Sequence, residues 1–141
     1  MQGVRRRKRR PTRTRRVMPH DELSIDIKVE HEGSAVVFKL HGSLDIATAP
    51  TVRAALLEAA NEGRHEIVVD LRGIEFLDST GLGALIGGHK RALENGGAVR
   101  LVVSEGIILR LLTITGLMDV FSVYPSVESA LENVNRLAGT L

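Results

Sequence analysis

No cysteine occurs in the 141 residues, which removes disulfides, thiolate zinc sites and thiol nucleophiles together. Such a chain needs no oxidising compartment, and the cytoplasm is the matching expectation. Tryptophan is also absent, and aromatic residues make up only 3 % of the chain. Apolar residues nonetheless reach 43 %, so a core has to be built from Leu, Ile, Val and Ala. There is no run of about 18 or more apolar residues, so no segment reads as a membrane-spanning helix. The basic N-terminus is not followed by the apolar stretch that a secretory signal requires.

The motifs of common catalytic sites are missing as well. There is no GxxxxGK[ST] phosphate loop, no GxGxxG after a strand and no GxSxG elbow. The five histidines (His20, His31, His41, His65, His89) are scattered, without an i, i+4 pair or HExxH, which argues against a metal site. His89 lies on the edge of an apolar stripe that starts at Leu82, and reads as a packing residue rather than a base or ligand. Asp70 and Asp78 offer a pair of carboxylates, but strand-end aspartates are common caps and turn formers, and no third group completes a catalytic set. The expectation is a domain that is not an enzyme and holds neither metal nor cofactor.

What is present is divided in two. The length suits one domain with a real core and hardly two. Residues 1–20 carry nine Arg and Lys and no acid, whereas residues 21–141 hold the other ten basic residues and all 17 acids, a balance of −7. The tail is too charged and too poor in apolar residues to bury a core, and is expected to be disordered. Two readings of it stay open. It contacts nucleic acid or anionic lipid without specificity, or it is a solvated extension, with Met18 as an alternative start. The acidic remainder argues against nucleic acid as the main partner, and no membrane partner is expected.

From Leu23 onward the pattern is ordered. Leu23, Ile25, Ile27 and Val29 alternate with polar residues as in a half-buried strand, Gly33-Ser34 makes a turn, and Ala35 to Leu40 returns as a second strand. Thr48 and Pro50 open a helix with Val52, Ala55, Leu56 and Ala59 on one face, closed by Gly63. Ile67 to Leu71 is an apolar, β-branched run, the signature of a strand covered on both faces. A second helix begins near Ser79, with Leu82, Leu85, Ile86 and Leu93 on its stripe. A strand over Ala98 to Val103 follows, then a helix capped by Ser104 and carrying Ile107, Ile108, Leu111 and Leu112. A weak strand at Phe121 to Tyr124 precedes a last helix capped by Ser126. Strands alternating with helices after a hairpin predict one α/β domain with a mixed sheet of four to five strands and about four helices.

One segment concentrates unusual residues: Phe76-Leu77-Asp78-Ser79-Thr80-Gly81-Leu82-Gly83. Ser79 falls at the N-cap or first turn of its helix, where backbone N–H groups lack partners. Gly81 and Gly83 each cost a helix about 1 kcal/mol relative to Ala. Either they let another backbone approach, or they pack on the sheet while Asp78-Ser79-Thr80 caps the helix.

With Leu40-His41-Gly42-Ser43-Leu44-Asp45, Ile67 to Leu71, Gly96-Gly97 and Leu112 to Leu117, this segment resembles a STAS domain of the bacterial anti-sigma factor antagonist type, over roughly residues 23–137. The resemblance implies a partner switch. The partner would be an anti-sigma factor with serine kinase activity, bound when the antagonist is unphosphorylated so that a sigma factor is freed. That kinase would phosphorylate Ser79, with Thr80 as the neighbouring hydroxyl, and a protein phosphatase would reset it. Asp45, Asp78, Thr80, Gly81, Leu82 and Gly83 are the matching partner-binding positions. Roles in stress response or sporulation belong to the same family. The alternative is a STAS subunit with a structural role in a stress-signalling complex or lipid transporter.

Overall fold

Alternating apolar residues generate a sheet, and the helical repeats between strands cover it. The computed structural model describes the backbone of residues 13–17 and 24–139 and the side chains of residues 24–136. Six strands lie in one sheet in chain order: β1 (Arg13–Val17), β2 (Ile25–Glu32), β3 (Ala35–Leu44), β4 (Glu66–Leu77), β5 (Ala98–Val102) and β6 (Ser122–Tyr124). The first three are antiparallel; β3, β4, β5 and β6 run parallel. The connections hold α1 (Ala49–Asn61), α2 (Ser79–Glu94) and α3 (Ile107–Ile114), and α4 (Val127–Gly139) ends the described chain.

Adjacent residues of a strand face opposite layers. Phe38, Val69 and Leu101 join Leu56 of α1 and Leu85 of α2 in the main core. Val37, Val68 and Val102 point the other way, against Val127 and Ala130 of α4. The run Ile67-Val68-Val69 is therefore apolar throughout because both faces of β4 are covered. Helix α4 is also held by Arg100, which is 5 % exposed. Its Nε–H donates to Asn133 Oδ1 at 2.8 Å and its Nη1–H to Glu66 Oε1 at 2.6 Å, so the buried cation is paired.

Several expectations need correction. Arg13–Val17 is a strand, paired with β2 from Arg13↔Val29 to Val17↔Ile25, and it raises the strand number to six. Composition predicted disorder for this stretch because it weighs apolar burial alone. An open edge of β2 also offers a row of backbone donors and acceptors to any extended segment. The rest of the 1–20 tail, and Leu23, lie outside the described residues. Leu93 is exposed rather than part of the α2 stripe, and Ile107 is exposed at the start of α3. The N-cap of α3 is Gly106, not Ser104. By contrast, Ser126 Oγ accepts from Ser129 N–H at 3.1 Å, as a cap should.

His89, on α2, is buried; its Nδ1 accepts from the Val99 N–H at 3.1 Å and its ring lies 5.0 Å from that of Phe121. Burial lowers its pKa from the ordinary 6.5; a hydrogen bond with the Val120 backbone opposes the shift, and the charge of Arg100 adds to it. The unfolded chain therefore binds the proton more readily than the folded one. His89 destabilises the fold as pH falls below about 6.5, the unfolded value, and that loss levels off below the folded pKa. Denaturant midpoints measured from pH 7.5 to 5 should fall more for the wild type than for His89→Gln. Parallel curves would show that His89 is not protonated differently in the two states.

Candidate functional site

The end of β3 is fixed before it reaches the site. Gly42 has φ 123°, and a Cβ there would overlap the Ser24 carbonyl oxygen, so the position requires glycine. The next residue donates its N–H back to that same oxygen, Ser43 to Ser24, at 3.0 Å. Leu44 follows, fully buried. The chain then turns on Asp45, whose Oδ1 accepts the N–H groups of Ala47 (3.0 Å) and Thr48 (3.1 Å). The Thr48 hydroxyl donates to the Ser43 carbonyl at 2.7 Å and accepts the Asp45 N–H at 3.0 Å. Thr48 occupies the N-cap position of α1 as expected, but its side chain closes this turn instead of capping the helix.

The second motif locks onto the first. The Asp78 N–H donates to the Leu44 carbonyl at 3.3 Å, and Asp78 Oδ1 accepts the Gly81 N–H at 2.9 Å. Asp78 is thus the N-cap of α2 and Ser79 its first residue. At Gly81 a Cβ would overlap the Leu44 carbonyl oxygen and stand 2.8 Å from Leu44 Cγ and 2.9 Å from Leu77 Cδ1. The glycine lets the first turn of α2 sit directly on the end of β3.

That seating sorts the predicted site residues. Asp45, Gly81 and Leu82 are buried and build the support. Asp78 is half-buried, while Ser79, Thr80 and Gly83 are exposed. Neither hydroxyl has a hydrogen-bond partner among the described residues. Both stand at a helix N-terminus, where free N–H groups and the dipole favour an anion. A Cβ on Gly83 would meet nothing within 4 Å. Two apolar side chains that sequence reasoning passed over flank the site: Ile46, 74 % exposed, in the turn after Asp45, and Phe76, 51 % exposed, before Asp78. An isoleucine in an otherwise small and polar turn was the available signal.

Among the described residues no three His, Asp or Glu side chains group as metal ligands, and no helix is long and apolar enough to cross a membrane. The arrangement presents two exposed hydroxyls in the first turn of α2, which is seated on the end of β3.

Comparison with known proteins shows the family. The STAS domain model matches residues 26–130, and the chain belongs to that family. It is 31 % identical over 110 residues to an anti-sigma F factor antagonist of Paenibacillus polymyxa, covering 77 % of this chain and 94 % of the relative. It is 27 % identical over 110 residues to an anti-sigma-B factor antagonist of Bacillus subtilis (strain 168), covering 78 % of this chain and 100 % of the relative. The crystal structure of an anti-sigma factor antagonist from Mycobacterium paratuberculosis superposes with a TM-score of 0.75 at 29 % identity, over 82 % of this chain and 97 % of that one.

The two glycines should therefore respond in opposite ways. Gly81→Ala forces a methyl into the Leu44 carbonyl and should destabilise by about 1–3 kcal/mol, as overpacking does. Gly83→Ala, in open helix, should stabilise by about 0.4–1 kcal/mol. Chemical denaturation of the two variants measures both; equal shifts would contradict the close approach at Gly81.

Proposed function

We propose that this protein is an anti-sigma factor antagonist switched by phosphorylation of Ser79, acting in the cytoplasm by binding and not by catalysis. The observation that carries the reading is the exposed, unpartnered Ser79 hydroxyl at the first position of α2, directly after its cap Asp78. The partner is an anti-sigma factor with serine kinase activity. It engages the surface formed by Asp78, Thr80 and Gly83, supported from beneath by Asp45, Gly81 and Leu82. The relatives named above, antagonists of anti-sigma factors, support the partner class.

The switch follows from charge. Phosphate adds about −1.5 to −2 charges at one residue. The helix N-terminus tolerates that anion, so the fold need not change. A partner seated over Ser79 must instead accommodate the new charge and bulk next to Asp78. A loss of about 2–4 kcal/mol in binding lowers affinity roughly 30- to 1000-fold, enough to release the partner. A phosphatase acting on the same exposed position restores binding.

Incubation with the anti-sigma kinase and ATP should add one phosphate, mapped to Ser79 and abolished by Ser79→Ala. Ser79→Asp should weaken binding less than phosphate does, since a carboxylate carries less charge. A phosphate on Thr80 alone, or on neither residue, would overturn the assignment and favour a STAS subunit with a structural role.

A further inference from the structure

Helix α2 contains four glycines, and packing accounts for two. Gly81 seats on Leu44, and a Cβ on Gly88 would stand 2.7 Å from Leu56 Cδ1 and 2.9 Å from Leu56 Cβ, so Gly88 lets α1 and α2 approach closely. Gly83 has no such neighbour, and Gly87 meets only the side chain of Arg53. They lie four residues apart, on one face of the helix. Each weakens an interior helical position by about 1 kcal/mol relative to Ala. Gly83 opens onto space, and over Gly87 lies the side chain of Arg53, its Nε 3.0 Å from where a Cβ would be.

Between α1 and α2 this face forms a groove of about 390 Å³. Its floor and walls are small or apolar, Ala49, Ala54 and Leu57 of α1 with Gly83 and Ala84 of α2. Thr80 stands at one end, continuous with the Ser79 surface, and Arg53 lines it beside Gly87. Thr80 and Gly87 are seven residues apart, about 10 Å along the helix at 1.5 Å per residue. Arg53 is exposed and makes no hydrogen bond or ion pair among the described residues. A cation seated on a glycine beside an apolar groove, in a domain of net charge −7, is placed to meet an anion from outside.

We infer that the α1–α2 groove is a second docking element for the anti-sigma kinase, taking an apolar segment of that partner whose carboxylate pairs with Arg53. The inference rests on the proposed switch at Ser79 and deepens it. The small residues admit the segment's backbone, and Arg53 fixes its register roughly 12 Å along the helix from Ser79. Arg53 is a positioning residue here: it holds the kinase on its substrate and takes no part in phosphoryl transfer.

The test uses the full chain and the kinase that phosphorylates Ser79, with steady-state phosphorylation and thermal melting as readouts. Arg53→Glu should raise KM about five- to tenfold with kcat unchanged, the mark of lost binding before chemistry. Arg53→Lys should stay within about twofold of the wild type. Ala54→Trp, which fills the groove without touching the charge, should raise KM as Arg53→Glu does. All three should melt close to the wild type, because both positions are exposed. Unchanged KM in both Arg53→Glu and Ala54→Trp would overturn the groove while leaving Ser79 as the switch. A rise with Arg53→Glu alone would overturn it too, since charge would then act without a seated segment. A wild-type dimer that Ala54→Trp dissociates would assign the groove to a second copy of the chain. Failure of the wild type to be phosphorylated on Ser79 would strike the underlying reading itself.

Discussion

The carbonyl of Leu44 is the point on which the site depends. It accepts the Asp78 N–H, and it lies where a side chain on Gly81 would have to be. The two segments that stand out in the sequence, Gly42 to Asp45 and Asp78 to Gly83, are therefore two halves of one joint. Gly42 and Ser43 tie the first half to Ser24, and the Asp45–Thr48 turn holds it from the other side. With the end of β3 fixed, the first turn of α2 has little freedom. Ser79 and Thr80 are held outward because Asp78 and Gly81 are held inward.

A rigid platform suits a switch based on charge rather than on refolding. Free N–H groups at the start of α2 favour an anion locally, whereas on the proposed function a partner seated over Ser79 has to lose contacts to accommodate it. In the proposed switch the cost of phosphorylation falls on the complex and not on the domain. Exposed Ile46 and Phe76 on the flanking segments give the same surface an apolar margin.

Much of the fold was legible because it rests on period. Alternation marked β2, the turn at Gly33-Ser34 marked the return along β3, the continuous run Ile67 to Leu71 marked a doubly covered strand, and Val52, Ala55, Leu56 and Ala59 are buried as their spacing implied. The failures were of contacts that period does not encode. Strand β1 arises from backbone pairing at an edge, to which a composition of arginines is blind. Gly81 and Gly83 look equivalent in sequence, yet one meets a carbonyl and the other open space. Asp45, a partner-binding position by resemblance, is 5 % exposed, its Oδ1 accepting two backbone N–H groups. The candidate site stood out as a segment, but which of its residues face outward was decided by the joint at Leu44.

The most direct test of this account is the affinity of the anti-sigma kinase for the protein before and after stoichiometric phosphorylation, measured by titration calorimetry. The account predicts tight binding of the unmodified protein and a loss of roughly 30-fold or more on phosphorylation. Equal affinities for the two forms would contradict it.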